Sequence, residues 1–414
     1  MGRSLLLSWM LLLVAATSGC SHDEPTPAAD APLVAADSAP SPAADTRASA
    51  ADVAIADAGV DAPSASPTLE VQFLGVGGFL LRVGSDAVMT APMYSNPSFT
   101  SVLFGTVRSD RALIDKHLSD AAVRDVRAIL VGHAHYDHLL DVPHVLDKAQ
   151  GARLYGNSTM KRLLAGLAPD RAPSCPPLAQ GASWPTVARD RVIALDAPTA
   201  DRVDYRPSGN KPNVCTGGGG GDGSWVAVPN SRVRVRALSS MHPPQFLAVH
   251  FGEGCASEDL CEPPSKAGDW KEGATLAFLI DFLDPSGKPR FRIYYQDAPT
   301  NAPLGHVPAA VLAEKRVDVA LLCVGNTDQV KDHPAAILAN LDARYVIGGH
   351  WEDFFRKPDE PVAPIAFHDP AAFDTRAGAS LSKALEKPAL VQGSKDATRH
   401  WVPQPGTRFR FERE

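Results

Sequence analysis

The chain has no surplus of basic residues. Forty Lys and Arg face 47 Asp and Glu, leaving a net charge of −7. That balance argues against a general nuclease, whose polyanionic substrate calls for a basic surface, so no nucleic-acid partner is expected. Its six cysteines include no Cys-x-x-Cys pair, so a separate structural zinc site is not signalled. The glycine run 217–221 is followed by neither a helix start nor Gly-Lys-Ser/Thr, which favours a surface loop over a phosphate cradle. Residues 21–67 are built from Ala, Pro, Asp and Ser with almost no aromatics. Such a segment buries too little apolar area to offset its ordering entropy and is expected to be a disordered tether.

What is present begins with a signal. Arg3 supplies a positive start, residues 5–14 an apolar run too short to span a bilayer, and Ala16-Thr17-Ser18-Gly19 small residues leading to Cys20. This pattern resembles a bacterial lipoprotein signal, with Cys20 becoming the lipidated first residue of the mature chain. An ordinary secretory signal with an incidental cysteine is the alternative. Acyl chains on Cys20 would anchor the protein, at about 0.8 kcal/mol per buried methylene. Ser21, not aspartate, after that cysteine looks like the choice for the periplasmic face of an outer membrane, given a Gram-negative source. The expected plan is a signal peptide over 1–20, the tether over 21–67 and one catalytic domain over 68–414. Any division of that domain would cut the residues considered next.

Val131-Gly132-His133-Ala134-His135-Tyr136-Asp137-His138 follows the apolar, strand-like Ala128-Ile129-Leu130. Imidazoles and a carboxylate suit a borderline cation, and so many on one turn cannot all serve a single tetrahedral ion. Two ions are the natural reading, and a metal-free, His-rich loop is the bland one. Three more candidates stand where a strand-like run ends. His242 follows 232–238 and precedes Pro243-Pro244, Asp297 follows 291–295, and His350 follows Tyr345–Gly349.

His-x-His-x-Asp-His with a later histidine, aspartate and histidine resembles the metallo-β-lactamase superfamily. The resemblance implies an α/β fold, the four-layered αββα sandwich. It implies that His133, His135 and His242 hold one metal and Asp137, His138 and His350 the other, with Asp297 bridging them. Two divalent ions are implied, Zn²⁺ first, with Mn²⁺ or Fe also compatible with nitrogen and oxygen ligands. A bridging hydroxide would then attack phosphorus or a carbonyl carbon, with Asp297 steering the proton and Asp137 ligating. Because ligating imidazoles must be neutral, metal binding is expected to weaken below about pH 6.

Within the superfamily, Thr90-Ala91-Pro92 and His350-Trp351-Glu352-Asp353-Phe354 resemble a subgroup that includes L-ascorbate-6-phosphate lactonase and N-acyl-phosphatidylethanolamine phospholipase D. Ala91 stands where that subgroup has an aspartate buttressing the metal loop, a kind of partner that matters 10- to 100-fold. The same resemblance makes His333 a pocket residue or an exposed helix cap, and Trp351 and Phe354 either a hydrophobic wall near the metals or simple core.

The spacing further predicts paired strands over 69–74 and 79–83, a third over 87–90, and a hairpin of 275–283 with 289–296. It predicts helices over 109–118, 142–150, 158–167 and 332–341, a late surface helix over 376–386 and a terminal strand over 407–411. Cys175 and Cys215 lie in one insertion and Cys255 and Cys261 in another, so two local disulfides are expected, with Cys323 a buried free thiol. The resulting expectation is a dinuclear hydrolase of the cell envelope, acting on a phosphodiester or a cyclic or simple ester of a small molecule or lipid. The rival is a non-catalytic metal-binding envelope lipoprotein that uses the same fold as a binding module.

Overall fold

The computed structural model describes residues 68–177, 184–196, 222–245, 251–366, 368–381 and 388–412. The signal, the tether, Cys20, Cys215 and the glycine run lie outside the described residues. Residues Pro63–Glu414 form one compact unit. Among the described residues no helix is long and apolar enough to cross a membrane.

Strands and helices alternate along the chain. The first strands are β1 (Leu69–Gly75), β2 (Gly78–Val83), β3 (Asp86–Thr90), β4 (Val126–Leu130), β5 (Arg153–Gly156) and β6 (Val192–Ala194). A second set follows as β7 (Asp222–Val228), β8 (Val233–Ser239), β9 (Leu276–Leu283), β10 (Pro289–Gln296), β11 (Val319–Cys323) and β12 (Tyr345–Gly349). The chain closes with β13 (Ala389–Val391), β14 (Ser394–Asp396), β15 (His400–Trp401) and β16 (Arg408–Phe411). These build a nine-stranded sheet, β14-β13-β16-β1-β2-β3-β4-β5-β6, and a seven-stranded one, β15-β12-β11-β10-β9-β8-β7.

The two sheets face each other. Val71, Phe73, Phe79 and Leu81 of the first meet Phe278, Ile293, Tyr295 and Ile347 of the second in one buried cluster, and the Phe79 and Tyr295 rings lie edge to face at 6.5 Å. Burying each such side chain contributes about 1.5–3 kcal/mol. Six helices accompany the first sheet: α1 (Phe99–Phe104), α2 (Arg111–His117), α3 (Asp120–Val123), α4 (Tyr136–Leu139), α5 (Val142–Lys148) and α6 (Ser158–Leu163). Ile114, Val123, Val145 and Met160 from these helices pack on Met89, Ile129 and Leu154 of its outer face. Downstream come α7 (Ala309–Glu314), α8 (Ala335–Leu341) and α9 (Pro370–Ser380), and Ile337, Leu338 and Phe373 cover the second sheet. The architecture is therefore the four-layered αββα sandwich. It explains why Ala128-Ile129-Leu130 of β4 are apolar without alternation, since a helix layer covers one face and the other sheet its opposite face.

Three expectations need correction. The late helix runs over Pro370–Ser380, not 376–386. Asp369 caps it by accepting from the Ala372 amide, Pro370 opens it, and Phe373 and Ala377 form the one buried stripe of an otherwise solvent-facing helix. Residues 382–387 of that expectation lie outside the described residues. Local disulfides are also overturned: Cys175 bonds Cys261, 86 residues away, which joins the two insertions. The physical reason is close packing of one segment on the other, since a Cβ on Gly166 would lie 2.0 Å from the Cys261 carbonyl oxygen. Cys255 is disulfide-bonded as well, and Cys323 is the buried free thiol expected. Third, His333 is no exposed cap, because Pro334 occupies the cap position of α8 and His333 is buried.

Candidate metal centre

Each candidate ligand is delivered by the end of a regular element. The β4 strand ends at Leu130, and the Gly132 amide donates to Asp297 Oδ2 at 2.9 Å. Only glycine fits there, since a Cβ would lie 2.2 Å from Asp297 Oδ1. His135 stands at the N-cap of α4, and that single turn carries Asp137 and His138. His242 lies three residues past β8, Asp297 directly past β10 and His350 directly past β12. Asp297 keeps the inward parity of Ile293 and Tyr295, so it enters the gap between the sheets.

The structure brings all seven together. The His133, His135 and His242 ligand atoms lie within 4.8 Å of one another, as do those of His133, His138 and Asp297, and those of Asp137, His138 and His350. The groups overlap at His133 and His138. The His133 ring centroid stands 4.3 Å from His138 and 4.7 Å from both His135 and His242, and His138 stands 5.0 Å from His350. Asp297 Oδ1 is 3.1 Å from His133 Nδ1, and Asp137 Oδ2 is 3.2 Å from His350 Nε2.

The donor set fits a pair of divalent ions. Nε2 of His133 and His135, both ring nitrogens of His138 and Nδ1 of His350 are buried without hydrogen-bond partners. Buried polar atoms are nearly always paired, so this concentration of lone pairs suits cations. Burial holds His133, His135 and His242 below the ordinary histidine range and His138 at about 3, which keeps the rings neutral and able to ligate. Burial also raises Asp297. Burial works against ionised Asp137, yet His138 and His350 hold its pKa well below the usual carboxylate range. His350 is raised: burial opposes its charge, but the hydrogen bond and charge of Asp137 outweigh it.

The proposed pocket residues divide. Phe354 packs edge to face on His350 at 5.1 Å, Phe355 lies tilted beyond it at 4.7 Å, and Phe99 meets Phe355 at 5.2 Å. This ladder of rings leads from a candidate ligand to the surface, where Phe99 is 47% exposed. Trp351 instead joins the core cluster and donates its indole N–H to the Pro403 carbonyl at 2.8 Å. His333 lies beside Phe373 at 6.2 Å, belongs to none of the three ligand groups, and burial lowers its pKa to about 4.

Sequence reasoning missed two carboxylates that hold the site. Asp141, buried three residues after His138, accepts from the amides of Tyr94 and Ser95 and the hydroxyls of Ser95 and Ser109, at 2.6 to 2.7 Å. The loop following Ala91 is thus tied to the metal motif from the motif's own side. Four potential partners of one short acid, all within 50 residues, left no periodic signal. Glu352, buried two residues after His350, is the second.

No family model matches the chain, and no curated protein matches it either. Among solved structures it is similar to Igni18, a metallo hydrolase from the hyperthermophilic archaeon Ignicoccus hospitalis KIN4/I, at 13% identity over 84% of this chain and 100% of that one, TM-score 0.42. It is also similar to the metallo-β-lactamase fold protein YhfI from Bacillus subtilis, at 11% identity over 68% and 86% of the two chains, TM-score 0.34. CmlA, a diiron β-hydroxylase from Streptomyces venezuelae, is similar at 13% identity over 69% of this chain and 45% of that one, TM-score 0.34.

Proposed function

We propose that the chain is a dinuclear metal-dependent hydrolase acting on a phosphodiester or a cyclic or simple ester. The observation that carries this reading is the overlap of three ligand groups at His133 and His138. His133, His135 and His242 would hold one ion, Asp137, His138 and His350 the other, and Asp297 would lie between them. When bound, such a pair lowers the pKa of a shared water and withdraws charge from the bond being broken. The protein's own part is to keep the imidazoles of His133, His135, His138 and His242 neutral through burial, to hold Asp137 ionised beside His138 and His350, and to fix Asp297 through the Gly132 amide. Zn²⁺ is favoured by the mixed imidazole and carboxylate donors, with Mn²⁺ or Fe compatible. Phe354, Phe355 and Phe99 offer an apolar wall for the organic part of a small-molecule or lipid ester.

The same proposal places the domain on a tether lipidated at Cys20, at the periplasmic face of an outer membrane. Metabolic labelling with a radioactive fatty acid checks it, and a Cys20→Ser chain that still takes up label would refute the anchor. For the chemistry, the purified chain is loaded with Zn²⁺ and assayed against bis(p-nitrophenyl) phosphate and simple lactones. Turnover abolished by Asp137→Ala or His350→Ala is the expected result. Tight binding of two ions without turnover across the panel would instead support the metal-binding module.

A further inference from the structure

The turn joining β1 to β2 sits directly behind the candidate metal centre, and it is gripped from several sides. The Glu352 carboxylate accepts the amide of Val76 and, at 3.1 Å, the amide of Trp351. The Val76 carbonyl in return accepts the His350 amide at 2.8 Å. Next to it, the Gly77 carbonyl accepts the hydroxyls of Thr90 at 2.6 Å and Tyr295 at 3.0 Å. A Cβ on Gly77 would lie 2.7 Å from His138 Nδ1, so the turn presses against a candidate ligand ring.

Both ends of this clamp are held in conformations that side-chain-bearing residues avoid. Val76 has φ +50° and His350 φ +57°. Such backbones cost on the order of 1–3 kcal/mol each and persist only where surrounding bonds over-determine them. Here those bonds are the Val76 to His350 main-chain contact and the two arms of Glu352. Glu352 is buried, and its two oxygens are taken up by amides on either side of the strained pair. A carboxylate in that place does what no sheet ladder could, since β1 and β12 belong to different sheets.

We infer that Glu352 is a positioning residue for the ion site of Asp137, His138 and His350: it locks the Val76–Gly77 turn to the His350 turn and so fixes the direction of the His350 imidazole. The inference rests on the dinuclear reading above. It concerns affinity at one of the two ion positions, because His133, His135 and His242 are supported by other elements. An outer partner that orients a metal-binding histidine typically matters 10- to 100-fold in affinity.

The test counts ions rather than turnover. The metal-stripped full chain, Glu352→Gln and Thr90→Val are titrated with Zn²⁺ by calorimetry, and bound zinc is measured after desalting. Glu352→Gln keeps the size and one acceptor oxygen but turns an NH₂ toward an amide, and Thr90→Val removes a hydroxyl from the far side of the same turn. Circular dichroism verifies that each variant is folded. The expected result is two ions on the natural chain, and one tight ion with the second weakened 10- to 100-fold in Glu352→Gln. A smaller weakening of the same ion is expected in Thr90→Val. Two ions bound with unchanged affinity by Glu352→Gln would overturn the positioning role while leaving the dinuclear reading intact. A natural chain that binds fewer than two ions would overturn both.

Discussion

Among the described residues, the Arg292 cluster and the histidine cluster are both buried, and they are finished in opposite ways. On the second sheet Arg292 is wholly buried and every one of its five side-chain N–H groups is matched. Nε and Nη2 donate to Asp281 at 2.7 Å each, Nη1 to the carbonyls of Val311 and Lys315, and Nη2 also to Glu314 at 3.0 Å. Arg234 joins Asp281 and Glu314 and lies over the Trp225 ring at 4.1 Å. Between the sheets, the histidines of the candidate centre leave nitrogen after nitrogen unmatched. A buried charge is tolerable only with complete pairing. The Arg292 cluster meets that condition within the chain, whereas the neutral rings of the histidine cluster keep buried lone pairs that a bound cation would satisfy.

The sharpest way to break this contrast is Asp297→Asn. The substitution keeps the shape but removes the charge that two cations would share. Zn²⁺ stoichiometry should fall and turnover should drop by at least about a hundredfold. Full activity in that variant would deny the cluster its role. Second is Arg292→Met, which leaves Asp281 Oδ1 without its partner and Arg234 as the one cation on that carboxylate, and should cost up to about 3–5 kcal/mol of stability in denaturant titration. It should leave both ions bound, and loss of an ion there would show that the two clusters are not independent.

Acidity separates them more gently. Histidine titrates near 6.5 in an unfolded chain, while burial holds His138 at about 3. Between those values the unfolded chain carries a proton that the native one lacks, so the metal-stripped protein should lose stability as pH falls through that window. His133 and His135 act in the same sense, and raised His350 in the opposite one: its contribution is present below 6.5 and is lost as pH rises through its folded value. Melting temperatures of the stripped chain from pH 8 to pH 5 should therefore decline toward acid, and a rise would contradict the burial argument. The smallest effect is expected from Phe354→Ala, which removes the ring on His350. KM for an aryl or acyl ester should rise about tenfold with kcat little changed, the scale of a lost apolar contact.

Much of the site was legible in one dimension because its parts are local. Four ligands lie within six residues, and the other three stand at the ends of apolar runs. Strand ends can be read from alternation and turn residues, and the superfamily resemblance says which strand ends to search, so Asp297 after 291–295 and His350 after 345–349 are legible without coordinates. Phe354 was reached only through resemblance, and Trp351, named beside it, turned into the core, because neighbours in sequence on an irregular turn share no face.

By itself, then, the sequence determined β1 to β4, β8 to β10, β12 and β16, the helices α2, α5, α6 and α8, the β10 and β12 ends that present ligands, and the neutral nitrogen and oxygen chemistry of the centre. Only the tertiary structure decided that Glu352 would hold Val76, 276 residues away, that Cys175 would bond Cys261, and that β16 would lie against β1. It alone also showed that Arg292 is fully paired while the histidines are not. The reason is physical: periodicity and turn chemistry act over a few residues, whereas the pairing of buried polar groups depends on which distant segments packing brings within about 3 Å.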